Sequence, residues 1–146
     1  MIRLTRRASP GLLLTAAIGL LASGCGEEPT GPDLESRILG SWEWVSATGG
    51  IAGVVITPES EGFTRQLVLS APGTAQLLRD GVLEITSDYE FVPAQDLVDE
   101  FVGPKLVYEE TLFGFAEQGV GFDLQDRLVL IDPCCDGFVY LWERIE

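Results

Sequence analysis

After Ile38, apolar and polar residues alternate with a period of two through most of the chain, and each run is cut short by Gly, Pro or Asp. That period puts every second side chain on one face, the mark of a half-buried β-strand, and no stretch sustains the longer period of an extended helix. Residues 38–48 form the first run, with Trp42 and Trp44 on one face and Glu43 on the other. Residues 49–53 are too rich in glycine for a strand interior and read as a loop. Val54, Val55 and Ile56 make a short strand, stopped by residues 57–62. Residues 63–71 set Phe63, Arg65, Leu67 and Leu69 on one face, and Pro72-Gly73 turns the chain into a strand over 74–79. Asp80-Gly81 is the strongest two-residue hairpin signal. Residues 82–92 then place Leu83, Ile85, Tyr89 and Phe91 opposite Glu84, Asp88 and Glu90. Strands follow over 105–115, 120–124, 127–131 and 138–145, with a break expected near Gly114 or Gly119. A helical turn is expected over 34–39, and residues 95–100 read as a helical turn or a long loop. Seven to nine short strands predict an all-β barrel or sandwich rather than an α/β fold, and a barrel if the first and last strands meet.

The N-terminus follows a different pattern. Arg3, Arg6 and Arg7 precede an apolar run over 11–22, shorter than the roughly 20 residues a membrane span needs. Small residues and a thiol follow, and Leu21-Ala22-Ser23-Gly24-Cys25 resembles a bacterial lipobox, in which the cysteine becomes the acylated first residue. Lipoboxes usually carry Leu three before the cysteine; Ala22 stands there and Leu21 is one further back. The expected division is a lipoprotein signal peptide over 1–24, lipidated Cys25 with a Pro/Gly-rich tether over 25–33, and one β domain over 34–146. Palmitate-type acylation of Cys25 implies a cell-envelope location. Gly26 rather than Asp after the cysteine resembles the lipoprotein sorting pattern that implies the outer membrane where the cell has one.

Composition narrows the chemistry. The net charge is −14 for the whole chain, and −17 once the three leader arginines are removed. Phosphate would be repelled, so nucleic acid is not an expected partner, and membrane contact is expected through the lipid alone. The chain has no histidine, which removes Ser-His-Asp and Cys-His catalysis and every His-containing zinc site. No pair of carboxylates is distinguished by an apolar setting apart from Glu43, which lies between two tryptophans but on the opposite face. No enzyme, cofactor or metal is expected. Asp123, Asp126, Asp132 and Asp136 read as turn formers rather than a calcium loop. Adjacent Cys134 and Cys135 could bridge only through a strained ring, so free thiols are expected.

Gly40 and Trp42 on the first strand, with Arg144 near the end of the last, resemble the lipocalin and wider calycin pattern. Further support comes from Leu39-Gly40-Ser41-Trp42, from Thr57-Pro58, Ser60 and Gly62, and from Leu128, Leu130 and Asp132 leading to Asp136-Gly137-Phe138. The chain is identified on these residues as similar to small bacterial lipocalin-like lipoproteins. The resemblance implies an up-and-down antiparallel β-barrel whose Trp42 and Arg144 close one end, and a loop over 49–53 at its mouth. It implies a small apolar or amphipathic ligand inside, with Trp44, Tyr89, Phe91, Phe138, Tyr140 and Trp142 as pocket candidates. The alternative is an interaction module, an inhibitor or assembly factor with a filled barrel that binds an envelope protein through its loops or acidic surface.

Overall fold

A computed structural model describes residues 32–94, 103–134 and 136–145. The expected signal peptide, Cys25, most of the tether, the turn or loop over 95–100, and Cys135 lie outside them. Among the described residues the chain forms α1 (Pro32–Ile38), β1 (Gly40–Gly49), β2 (Val54–Ile56), α2 (Pro58–Glu61), β3 (Arg65–Ser70), β4 (Thr74–Arg79), β5 (Val82–Val92), β6 (Lys105–Leu112), β7 (Phe115–Phe122), β8 (Leu128–Ile131) and β9 (Phe138–Arg144).

Consecutive strands from β3 to β9 pair antiparallel, and β1 pairs with both β3 and β9. The result is a closed eight-stranded up-and-down barrel, to which β2 adds a ninth strand alongside the end of β1. Closure removes the sheet edges that an open meander would expose. An eight-stranded barrel is just wide enough for side chains to fill, and the inward faces do so with Trp42, Trp44, Trp142, Leu67, Leu69, Leu106, Leu128 and Leu130. Leu34 and Ile38, one turn apart on α1, are buried with this core, so the helix caps the end where β1 begins. We refer to that end as closed and to the other, where β1 meets β2, as open.

Local sequence rules account for most of the connections. Thr57 caps α2 reciprocally with Ser60, and Gly62 ends it with φ 76°, in the left-handed region. Asp80-Gly81 turns β4 into β5 with φ 50° and 78°, the two positive values a type I′ hairpin needs.

The break expected near Gly114 or Gly119 falls at Gly114. Phe113 and Gly114 adopt φ 55° and 88° and make a second two-residue hairpin between β6 and β7, and β7 runs on through Gly119. A bulky residue at positive φ is strained. Phe113 is held there by its ring, stacked on Tyr140 at 4.8 Å and tilted against Trp142 at 5.8 Å. The alternation of β1 shifts after Trp44. A bulge between Trp44 and Ser46 inserts one residue, so Ala47 rather than Ser46 is the next buried side chain. Finally, α1 begins at Pro32, inside the segment expected to be tether.

Candidate functional site

The closed end is sealed by contacts converging on Trp42. Its indole Nε1 donates to Ile38 O at 2.8 Å, tying strand to helix. Arg144, opposite Trp42 in the β1–β9 ladder, lays its guanidinium 4.1 Å from the Trp42 ring centroid. It donates from Nη1 to Leu39 O at 2.9 Å and from Nη2 to Arg37 O at 2.6 Å. Gly40 completes the arrangement: its φ is +135°, and a Cβ there would lie 2.5 Å from Arg144 Nη1. Gly40, Trp42 and Arg144 therefore form one unit with the helix cap.

The open half of the interior is built differently. Trp44 and Trp142 face each other across β1 and β9, and Phe113, Tyr140 and Phe138 extend the ring cluster toward the rim. Phe63, just before β3, stacks on Trp44 at 6.1 Å. Arg65 lies on the inward face of β3, its guanidinium 5.0 Å from the Phe63 centroid, 5.4 Å from Phe113 and 5.6 Å from Trp44. Arg79, its direct partner on β4, covers Phe63 at 3.8 Å.

A polar chain crosses the interior beside these rings. Tyr108 Oη donates to Gln118 Oε1 at 3.1 Å, and Gln118 Nε2 donates to Asp132 Oδ1 at 2.8 Å. Asp132 Oδ2 accepts from the Phe138 backbone N–H at 2.9 Å, and the Asp132 N–H donates back to Phe138 O at 3.0 Å. Both Gln118 and Asp132 are buried, and these bonds offset the cost of burying them. Burial, and secondarily the Asp132 charge, push the Tyr140 phenol up to about 12, while Arg65 pulls the other way. Burial likewise raises the Tyr108 phenol, with smaller contributions from Tyr89 and Asp132.

Three buried donors in this half have no hydrogen-bond partner among the described residues: Trp44 Nε1, Trp142 Nε1 and Arg65 Nε. An unmet buried donor costs about 1–3 kcal/mol. Trp42 differs from the other two tryptophans in having its N–H satisfied.

The six pocket candidates do not share one site. Trp44, Phe138, Tyr140 and Trp142 gather in the open half. Tyr89 and Phe91 sit at the closed end, where with Glu35, Leu39, Ala71 and Pro72 they line a separate cavity of about 400 Å³ on the α1 side. Burial raises the Tyr89 phenol, helped by Glu35. The four aspartates also separate: Asp123 and Asp126 stand in the β7–β8 turn at the closed end, Asp132 and Asp136 in the β8–β9 loop at the open end. The glycine-rich loop lies at the open end. Gly49 packs so closely there that a Cβ would come 2.3 Å from Gly137 O.

Arg65, Arg79, Gln118 and the interior role of Asp132 were not singled out from the sequence. Arg65 had a visible signal, a cation in register with Leu67 and Leu69. Gln118 had none, since it lies where the run was expected to break.

Comparison with protein-family models, with curated proteins and with solved structures finds no match to this chain.

Proposed function

We propose that the protein is held at the cell envelope by a lipid on Cys25 and binds a small apolar or amphipathic ligand in the open half of its barrel. The observation that carries this reading is the set of three partnerless buried donors among the aromatic rings of Trp44, Phe63, Phe113, Tyr140 and Trp142. Ligand sites are typically apolar walls with a few convergent polar groups, and this half of the interior has both. The reading includes no catalytic step, cofactor or metal.

A second reading, the interaction module, draws on an interior whose inward side chains are buried in both halves and on the apolar rim. Ile51, Val54, Val55 and Val139 are exposed there, with Val55 and Val139 flanking Thr48 across β2, β1 and β9. Native mass spectrometry of the protein extracted from its own membrane separates the two. A retained small molecule, released on unfolding, supports the first; a co-purifying protein without a small molecule supports the second. Fractionation tests the anchor: Cys25→Ser protein should be unprocessed or soluble, and normal processing with membrane retention would refute lipidation.

A further inference from the structure

Six basic residues follow the leader in a chain with 23 acidic ones, and two of the six stand side by side at the barrel mouth. Arg65 and Arg79 are direct cross-strand partners on β3 and β4. Like charges placed directly opposite destabilise a sheet, so this pairing runs against local stability. Phe63 lies against both, with their guanidinium carbons 5.0 Å and 3.8 Å from its ring centroid. The ring favours the two cations but does not neutralise them.

The nearby carboxylates are few or engaged. Glu84 stands 3.9 Å from Arg79, at the limit of an ion pair. Asp80 is turned to the backbone N–H and the hydroxyl of Thr64, at 2.8 and 3.3 Å. Asp132 is bonded to Gln118 and the Phe138 N–H. Among the described residues Arg65 has no ion pair, and its Nε is buried without a partner. The two other orphaned donors, on Trp44 and Trp142, belong to the same ring cluster.

We propose that the mouth of the barrel is an anion site, in which Arg65 and Arg79 receive a carboxylate-type oxygen group against the edge of the aromatic cluster. The inference deepens the ligand-binding reading and rests on it for one point only, the source of the anion. Either the group is the head of an amphiphile whose apolar part lies along Phe63, Phe113 and Trp44, or it is a small free anion. In both cases the anion relieves the repulsion between the arginines and supplies the acceptor Arg65 lacks. An Arg pair suits this role because each guanidinium presents several donors in a fixed plane.

The three tryptophans of the chain all lie in the barrel, so their fluorescence reports binding there. The full chain carrying Cys25→Ser, free of acyl groups of its own, is titrated with decanoate, decanol and acetate. Arg65→Met and Arg79→Met, which keep much of the apolar stem, are titrated alongside after circular dichroism confirms folding. The proposal expects decanoate to bind at least tenfold more tightly than decanol, and each Arg→Met change to remove that advantage. Acetate binding as well as decanoate, with the same arginine dependence, would uphold the anion site, assign it to a small free anion and refute the amphiphile reading. Equal binding of decanoate and decanol, unchanged in the variants, would overturn the anion site and leave the amphiphile reading standing. Binding of none of the three would overturn both. If Arg65→Met does not fold, Arg79→Met decides the matter alone.

Discussion

Trp42 and Trp44 are two residues apart on one strand and face the same interior, yet they do different work. Trp42 is fully satisfied: its N–H is bonded, its ring is covered by Arg144, and helix α1 lies over it. Trp44 is as deeply buried but keeps an unmet donor. The difference follows from position, since α1 brings the Ile38 carbonyl to within 2.8 Å of the Trp42 indole. The Trp42–Arg144 contact should be measurable as a coupling. In a double-mutant cycle of Trp42→Phe with Arg144→Met, urea unfolding should give an interaction energy of at least about 0.5 kcal/mol. Strict additivity would show that the cation–π contact contributes nothing. Truncation to Trp42→Ala should cost more, about 3–5 kcal/mol, because a buried cavity is added to the lost contact.

The β8–β9 loop shows how an element can be held from inside rather than by its own thiols. Cys134 is exposed and free. The loop is instead closed by the paired bonds between Asp132 and Phe138 and by Gly137, where a Cβ would lie 2.6 Å from the Asp132 Cβ. Replacing Cys134, which is exposed, by Ser should therefore change stability by less than about 0.5 kcal/mol. The double change with Cys135→Ser should stay below the few kcal/mol a structural disulfide contributes. Asp132→Ala should cost about 2–4 kcal/mol, because it strands the buried Gln118 amide and the Phe138 N–H. A large loss on replacing the thiols with little loss in Asp132→Ala would show that the thiols, not the carboxylate, set the loop. Tyr108, bonded through Gln118 to the same carboxylate, and Tyr140 make the element sensitive to alkali. Their folded values are raised above the ordinary 10, so the stabilisation they represent is fully present below pH 10. It is lost as the pH rises from 10 toward 12, where the unfolded chain sheds its phenolic protons first. The unfolding free energy should fall over that window, by up to about 1.4 kcal/mol per pH unit for each tyrosine, and Tyr140→Phe should flatten the fall.

At the scale of the molecule, closure of the barrel was legible because its evidence is periodic and redundant. Runs of alternating residues, the Asp80-Gly81 turn and the matching Trp42 and Trp142 ends all pointed to one meander joined first strand to last. What escaped was set by tertiary contacts that no local pattern encodes. A break near Gly114 was expected, but the packing of Phe113 on rings from β9 was not, and the β1 bulge goes with the β9 register. Tyr89 and Phe91 looked like pocket residues because the alternation puts them inward. It could not show that the strand carries them to the end opposite Tyr140. The same limit hid the arginine pair, since Arg65 and Arg79 become neighbours only through the β3–β4 register.

Entry of a ligand into the open half of the barrel can be read at three atoms. The indole N–H of each tryptophan gives one nuclear magnetic resonance signal, and only that of Trp42 has a partner among the described residues. Titrating the ¹⁵N-labelled full chain bearing Cys25→Ser with decanoate should move the Trp44 and Trp142 indole signals and leave the Trp42 signal in place. Three unmoved signals, or movement of Trp42 alone, would contradict a binding site in the open half.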